Sequence, residues 1–228
     1  MKIMSFNTQH CLNYKEQRID YEIMAKAIVD VGADIIGLNE MFDGGVYCKQ
    51  TAELGRLTAI ENAYFAKAID DSQGPYGNGL LSKIPFVSTK TVTIPDPNPK
   101  TTPGGYYETR CLLKARLANG YTVLVTHFGL CPDEQESAVK TILEHLAEEK
   151  CILLGDFNVE PTNPVLNPIR ERMKDTAVGF CQAEPSFPSD KPRIKIDYIF
   201  VSPDINVRYA QIPEIIASDH RPHIAEIE

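Results

Sequence analysis

Two polar side chains follow directly on a fully apolar run in the second half of the chain. The run extends from Cys151 to Leu154, Gly155 follows it, and Asp156 and Asn158 come next at alternate positions. A short apolar run is typical of a buried strand, and residues two apart in an extended chain point to the same side. The pattern predicts that a carboxylate, able to hold a metal or a water, projects beside an amide that can donate to an anion. Taken alone, the stretch also suits an Asx-rich turn after a strand.

Further polar residues stand at, or just beyond, the ends of other predicted strands. With the first pair, they are Asn7, Glu40, His127, Asp156, Asn158, Asp197, Asp219 and His220. Glu40 alone would suit a solvated loop, but it comes directly after an apolar strand. Asp197 lies inside the apolar run from Ile194 to Val201, where a carboxylate without a partner would cost several kcal/mol. These positions predict one rim at which the strand ends converge.

The chemistry of this set of residues is coherent. Carboxylates and Asn amides form an all-oxygen site, which suits Mg²⁺ or Mn²⁺, and the Cys/His groupings are too few to propose structural zinc. A His supported by a buried Asp is an oriented acid or base, or a phosphate-binding group. An anionic substrate approached through a metal fits phosphoryl transfer, in which positioning and neutralisation of charge dominate.

The order of these motifs resembles that of the endonuclease/exonuclease/phosphatase superfamily, which includes exonuclease III-like and deoxyribonuclease-like phosphoesterases. The resemblance covers the whole chain and rests on six stretches: Met4-Ser5-Phe6-Asn7, Ile36-Gly37-Leu38-Asn39-Glu40, Thr126-His127, Gly155-Asp156-Phe157-Asn158, Ile196-Asp197-Tyr198-Ile199 and Ser218-Asp219-His220-Arg221-Pro222. One departure is Asn39, because many members have Gln before the metal-binding Glu. We expect this difference to have little consequence.

The resemblance implies a fold and a metal site. The fold is an α/β, four-layered sandwich, in which two mostly antiparallel β-sheets pack face to face with helices outside. Glu40 would be the principal ligand of Mg²⁺ or Mn²⁺, with Asn7 and Asp219 nearby, directly or through water.

The resemblance also implies catalytic roles. Asp156 would position or deprotonate the attacking water, and Asn158 would hold that water or a phosphate oxygen. Asp197 would orient His220, which stabilises the phosphoryl oxygens or acts as the base; which of Asp156 and His220 takes the proton stays open. His127 resembles the family's second phosphate-binding His.

Two further residues are predicted to bind substrate. Asn78 and Arg110 lie in stretches that often contribute to the family's site, although Arg110, in a predicted strand, would equally suit the surface. Apolar spacing predicts helices elsewhere in the chain, over Arg18 to Val31, Lys49 to Ile60, Pro132 to Lys150 and Pro164 to Met173. The Pro-rich segment Pro95 to Gly105 is predicted to be a loop that fences off a small pocket.

Composition bounds the class of protein. The chain has 228 residues, which suits one catalytic domain over residues 1–228. Its six cysteines form no CxxC pair, and no run resembles a signal peptide or reaches membrane-spanning length. We therefore expect a soluble, reduced, cytoplasmic protein with no membrane partner.

Charge bears on the choice of substrate. The 23 Lys and Arg against 31 Asp and Glu give a formal charge of −8, which argues weakly against a protein that wraps duplex DNA by charge. We therefore favour a Mg²⁺-dependent phosphoesterase acting on a small soluble phosphodiester or phosphomonoester. The alternatives are a nuclease acting on DNA or RNA and, with less support, a non-catalytic scaffold. The oligomeric state cannot be predicted from the sequence.

Overall fold

The computed structural model describes residues 1–228 in full. Its strands, in chain order, are β1 (Lys2–Asn7), β2 (Leu12–Asn13), β3 (Arg18–Ile19), β4 (Ile35–Phe42), β5 (Asn62–Asp71), β6 (Gly74–Ser82), β7 (Phe86–Thr93), β8 (Cys111–Leu117), β9 (Thr122–His127), β10 (Cys151–Asp156), β11 (Lys174–Asp175), β12 (Asp197–Val201), β13 (Val207–Gln211) and β14 (His223–Ile227). The α-helices are α1 (Tyr21–Val31), α2 (Gln50–Thr58), α3 (Pro132–His145) and α4 (Asn167–Arg170).

Twelve of the strands form two six-stranded sheets. The first sheet has the order β13-β14-β1-β4-β6-β5, and the second has the order β11-β12-β10-β9-β8-β7. Each sheet contains one parallel pair, β1 with β4 and β9 with β10, and its other neighbours are antiparallel. Because parallel strands run in the same direction, the C-terminal ends of the two strands in each parallel pair lie side by side at the same edge of the sheet.

The two sheets pack face to face, with helices on both outer surfaces. Ile3 and Leu80 of the first sheet share a buried core with Leu154 and Ile199 of the second. Helices α1 and α2 cover the outer face of the first sheet, and α3 and α4 cover that of the second. The predicted four-layered sandwich with two mostly antiparallel sheets is therefore confirmed. None of the helices is both long enough and apolar enough to span a membrane.

All four predicted helices differ in extent from those in the structure, the second only slightly, since α2 is Gln50–Thr58 rather than Lys49 to Ile60. The first starts at Tyr21 rather than Arg18, because the Asp20 side chain accepts a hydrogen bond from the Ile23 amide and caps the helix there. The long helix from Pro132 ends at His145 rather than Lys150, since the next residue is extended. The helix predicted over residues 164–173 is a 3₁₀ turn followed by the single turn α4; Pro168, which has no N–H, cannot donate the bond that would join them.

Gly155 of strand β10 lies against the backbone of Thr126 in strand β9. Its φ is +145°, and a Cβ atom there would lie 1.8 Å from the backbone oxygen of Thr126. Gly155→Ala is therefore expected to lower the free energy of unfolding by about 3 kcal/mol, through a strained backbone and a collision that side-chain movement cannot relieve. Chemical denaturation of the full chain measures this difference.

Gly104 provides a matched control for this substitution. Its φ is also positive, at +68°, but a Cβ atom there would meet nothing within 4 Å. Gly104→Ala should therefore lower the free energy of unfolding by only about 1 kcal/mol, the cost of a left-handed backbone conformation at a residue other than glycine. Equal losses for the two variants would show that the approach of β9 to β10 does not require glycine.

Candidate active site

The ends of the two parallel strand pairs meet at one edge of the sandwich. Asn7 ends β1 in the first sheet, while His127 and Asp156 end β9 and β10 in the second. The Asn7 amide donates a hydrogen bond across the sheets to Asp156 Oδ2, over 3.0 Å. Asp197 begins β12 directly opposite Asp156 in the antiparallel pair. Strand topology thus brings together residues that are far apart in sequence.

A cavity of about 440 Å³ opens at this edge. Seven of the predicted site residues line it: Glu40, Arg110, His127, Asp156, Asn158, Asp219 and His220. Asn7 and Asp197 lie directly behind the wall, each hydrogen-bonded to a residue that lines it. Asn78 is also behind the wall, where its amide donates to the Cys111 carbonyl and its Oδ1 accepts from Asn39. These bonds favour a positioning role for Asn78 over the predicted direct contact with substrate.

Glu40 enters the cavity because strand β4 has a bulge. The pairing register between β4 and β6 shifts between Leu38 and Met41, and Glu40 itself has a left-handed φ of 60°. A β-bulge re-aims a side chain, and here it turns the carboxylate toward Asn7, whose amide donates to Glu40 Oε1 over 3.0 Å. Burial raises the pKa of Glu40, and the nearby Asp219 carboxylate raises it further.

The donor set around Glu40 fits a hard divalent cation. Two carboxylates, Glu40 and Asp219, offer oxygen ligands of the kind that Mg²⁺ prefers. The Asn7 side chain orients Glu40, because its Nδ2 donates to Glu40 while its Oδ1 accepts from the Gln9 backbone N–H. The basic group near Glu40 Oε2 is the ring of His10, whose Nδ1 is 4.0 Å away. Repulsion between the two acidic groups is the kind of electrostatic imbalance that a bound cation relieves.

Asp156 is the centre of the hydrogen-bond network. Its Oδ1 accepts a hydrogen bond from the backbone N–H of Asn158 over 2.9 Å, and the side-chain amide of Asn158 donates to the Phe128 carbonyl. Its Oδ2 lies 3.6 Å from Nε2 of both His127 and His220. Burial raises the pKa of Asp156 to about 7, against the lowering influence of His220.

Asp197 and His220 form a buried pair. His220 Nδ1 lies 2.9 Å from Asp197 Oδ2, and both side chains are almost entirely enclosed. Burial alone would lower the pKa of His220, but the carboxylates of Asp197 and Asp156 raise it to about 10. Ligand atoms of Asp156, Asp197 and His220 fall within 4.8 Å of one another. Within this group, His220 Nδ1 and Asp197 Oδ2 are already hydrogen-bonded to each other.

Arg110 is buried rather than on the surface. It is 9% exposed, lies immediately before β8 and lines the cavity. Its Nη1 is 2.6 Å from Glu108 Oε1 and 3.1 Å from His127 Nδ1. Burial lowers the pKa of His127 well below its ordinary value, and the Arg110 and His220 charges lower it further.

Sequence reasoning missed the aromatic and aliphatic walls of the cavity, whose residues belong to none of the six motif stretches. They include Tyr76, Tyr106, Leu130, Phe187 and Ile194. The Phe187 ring packs 4.8 Å from the His220 ring, centroid to centroid. The Pro-rich loop does not itself line this cavity: Thr101 anchors it to Asp133 at the start of α3, and the residues that follow it form the wall.

Asn39 was expected to matter little, yet its amide joins both sheets. Its Nδ2 donates to Asn78 Oδ1 and to the Thr126 carbonyl, each over 2.8 Å. Its Oδ1 accepts from the Asp156 backbone N–H over 3.0 Å. The signal in the sequence was a carboxamide at the end of an apolar strand, next to Glu40.

Asn39→Leu tests this bridge with a side chain that has the same branched heavy-atom skeleton but no polar atoms. It leaves the Asp156 N–H and the Thr126 carbonyl without their partner, so we expect unfolding free energy to fall by about 3 kcal/mol. Asn206→Leu is the control, since its exposed amide donates one bond, to Glu228; it should change stability by under about 0.5 kcal/mol. Similar results for the two variants in denaturant titrations would contradict the bridging role of Asn39.

Residues 4–220 match the sequence profile of the Endonuclease/Exonuclease/phosphatase family. The chain therefore belongs to this family, which confirms the resemblance inferred from its motifs. Members of the family hydrolyse phosphoester bonds and typically depend on a divalent metal, so the protein is a phosphoester-hydrolysing enzyme. No curated protein matches the sequence.

Solved structures of similar fold include three with informative names. An endonuclease/exonuclease/phosphatase from Beutenbergia cavernae is 22% identical, with a TM-score of 0.83, and the match covers 100% of this chain and 71% of that one. A mannosyl-6-phosphatase from Bacteroides thetaiotaomicron is 17% identical, with a TM-score of 0.78 and coverage of 100% and 99%. The human Nocturnin catalytic domain is 18% identical, with a TM-score of 0.72 and coverage of 100% and 94%. At these identities the similarity shows the shared fold.

Proposed function

We propose that the protein is a Mg²⁺-dependent phosphoesterase that hydrolyses a small soluble phosphodiester or phosphomonoester. The observation that carries this proposal is a compact cavity of about 440 Å³ in which the Glu40 carboxylate, Asp156 and two histidines converge. A small cavity with oxygen ligands on one side and N–H donors on the other suits a phosphoryl group. The mannosyl-6-phosphatase of the same fold supports a small phosphorylated substrate.

Glu40 would hold the metal, with Asp219 and Asn7 nearby, directly or through water. Bound there, Mg²⁺ would supply Lewis-acid polarisation of a phosphoryl oxygen and would neutralise part of its charge. Mn²⁺ prefers similar oxygen ligands and can replace it.

The side chains of the cavity have separate roles in activating the water and stabilising the phosphoryl group. Asp156, beside Asn158, holds the attacking water and accepts its proton. His220 has a carboxylate near each ring nitrogen, Asp197 at 2.9 Å and Asp156 at 3.6 Å, an arrangement that favours its charged form. His220 therefore stabilises the phosphoryl oxygens rather than acting as the base, and His127 donates to them from the other side.

Basic groups around the cavity are few. Arg110 lines it, but Glu108 pairs with its charge. The run Lys191, Arg193 and Lys195 does not form a basic patch, because Lys195 is 4% exposed and its ammonium donates to the Asp197 carbonyl. A nucleic acid gains affinity by releasing counterions at each phosphate that a Lys or Arg neutralises. This scarcity favours a small substrate over a DNA or RNA duplex.

Hydrolysis assays with Mg²⁺ and with EDTA test the proposal. The substrates are a nitrophenyl phosphomonoester, a bis-nitrophenyl phosphodiester and plasmid DNA. We expect turnover of at least one small ester, its loss in EDTA and its recovery with Mg²⁺, alongside weak DNA binding at physiological salt. Efficient duplex cleavage with a steep dependence on salt would instead identify the protein as a nuclease.

The location of the protein stays a prediction. All six cysteines are free thiols, and Cys48 among them is exposed, which is compatible with the reduced cytoplasm expected from the sequence.

A further inference from the structure

The contact between Arg110 and His127 fixes the position of a proton. The distance from Arg110 Nη1 to His127 Nδ1 is 3.1 Å, and both side chains are buried. A guanidinium carries only N–H donors and stays protonated in proteins. His127 Nδ1 must therefore be the acceptor, which requires a lone pair on that nitrogen. The ring proton then lies on Nε2.

His127 Nε2 faces the centre of the site. It lies 3.6 Å from Asp156 Oδ2, and the cavity is lined by His127 and Asp156 together. We propose that Arg110 is a positioning residue that holds His127 as a neutral imidazole with its proton on Nε2, ready to donate to a phosphoryl oxygen. The catalytic part of this statement rests on the proposed function; the tautomer itself does not.

The surroundings of Arg110 indicate that it acts through His127 rather than as a free anion-binding charge. Glu108 Oε1 is 2.6 Å from the same Nη1 atom, so the guanidinium is already paired. Glu108 is itself fixed, because its backbone N–H donates to Glu134 Oε1 over 3.0 Å. Glu134 also accepts from the Cys131 amide at the start of α3. The chain of contacts from α3 to His127 therefore orients the ring.

The two histidines of the site consequently have different partners and different forms. His220 has a carboxylate, Asp197, at its Nδ1, whereas His127 has a guanidinium there. A carboxylate only accepts a hydrogen bond and a guanidinium only donates one. Thus His220 Nδ1 carries a proton and His127 Nδ1 does not, although both rings aim Nε2 at the same Asp156 oxygen. One ring with a protonated Nδ1 and one with an unprotonated Nδ1 therefore face the phosphoryl position.

Nitrogen NMR of the full chain measures the tautomer directly. With ¹⁵N-labelled histidine, two-bond ¹H–¹⁵N spectra at about pH 7 distinguish the two neutral tautomers from the imidazolium, and His127→Gln assigns the His127 signals. We expect an unprotonated, hydrogen-bonded Nδ1 and a protonated Nε2 in the wild-type protein. Arg110→Met should shift the Nδ1 signal, and Arg110→Lys, which keeps a donor, should restore it. A protonated Nδ1 in the wild type, or an unchanged Nδ1 signal in Arg110→Met, would overturn the proposal.

Kinetics with a nitrophenyl phosphodiester then separate positioning from direct binding of substrate. Arg110→Met and His127→Gln should each lower kcat by about 10- to 100-fold, and the double variant should be within about threefold of the worse single variant. Losses that multiply would show that Arg110 contacts the substrate independently, which also overturns the proposal. Arg56→Met, on the exposed side of α2, is the control and should change neither the His127 Nδ1 signal nor kcat. Absence of wild-type turnover on both the nitrophenyl phosphodiester and the nitrophenyl phosphomonoester would refute the proposed function while leaving the NMR result valid.

Discussion

Glu40→Gln is expected to lower turnover by about 10³-fold while leaving the fold intact. Removing a metal ligand removes charge stabilisation of several kcal/mol, and about 4 kcal/mol corresponds to a factor of 10³ in rate. The substitution keeps the size of the side chain and its ability to accept from the Asn7 amide. The bulge at Glu40 should therefore survive. Initial rates at saturating substrate measure the first effect, and thermal unfolding measures the second.

Binding of metal gives a readout that is independent of turnover. Mn²⁺ titrations followed by electron paramagnetic resonance should show at least about tenfold weaker binding to Glu40→Gln than to the wild type. Glu148→Gln is the matched control, because Glu148 is exposed and the same change of charge there should affect neither rate nor binding. Wild-type turnover that persists in full chelation would contradict the metal role of Glu40.

Hydrophobic periodicity identified most strands and their ends, and the resemblance of the motifs to a known family implied the two-sheet architecture. Polar residues such as Asn7 and Asp156 stand directly after apolar runs, so their convergence at one rim followed from strand geometry. Helix ends were less predictable, since they depend on local caps: Asp20 starts α1, and a change of backbone direction at Leu146 ends α3.

The contacts between the sheets could not be predicted from periodicity. Asn39 has the same short amide as many surface residues. Its three partners come from pairing of β4 with β6 in one sheet and packing of β4 against β9 and β10 in the other. The sequence was compatible with Arg110 either on the surface or in the site, and the structure shows it buried beside His127. Pairings of this kind join residues distant in sequence, and a pattern of local spacing contains no information about them.

Asp197→Asn is expected to lower kcat by about 10²- to 10⁴-fold with a much smaller effect on KM. Asp197 is fully buried, and its Oδ2 is the acceptor for His220 Nδ1. An amide removes the negative charge that stabilises imidazolium, and its NH₂ group can hold the ring in the wrong tautomer. The backbone should stay in place, because Lys195 and His223 hold the Asp197 carbonyl and not its side chain. The loss would therefore appear in the chemical step.

Non-additivity distinguishes this role from general damage to the fold. If Asp197 acts only through His220, the Asp197→Asn/His220→Gln double variant should be no more than about threefold slower than His220→Gln alone. Asp30→Asn is the control, since Asp30 pairs with Lys26 on the exposed side of α1 and should keep wild-type kcat. If the losses of the two single variants multiply in the double variant, or if Asp197→Asn keeps activity close to wild type, Asp197 does not act through His220. Because the pair joins β12 to the loop before β14, denaturant titration of Asp197→Asn measures any structural contribution of this contact, and an unchanged free energy of unfolding would assign the loss of kcat to the charge and orientation of His220.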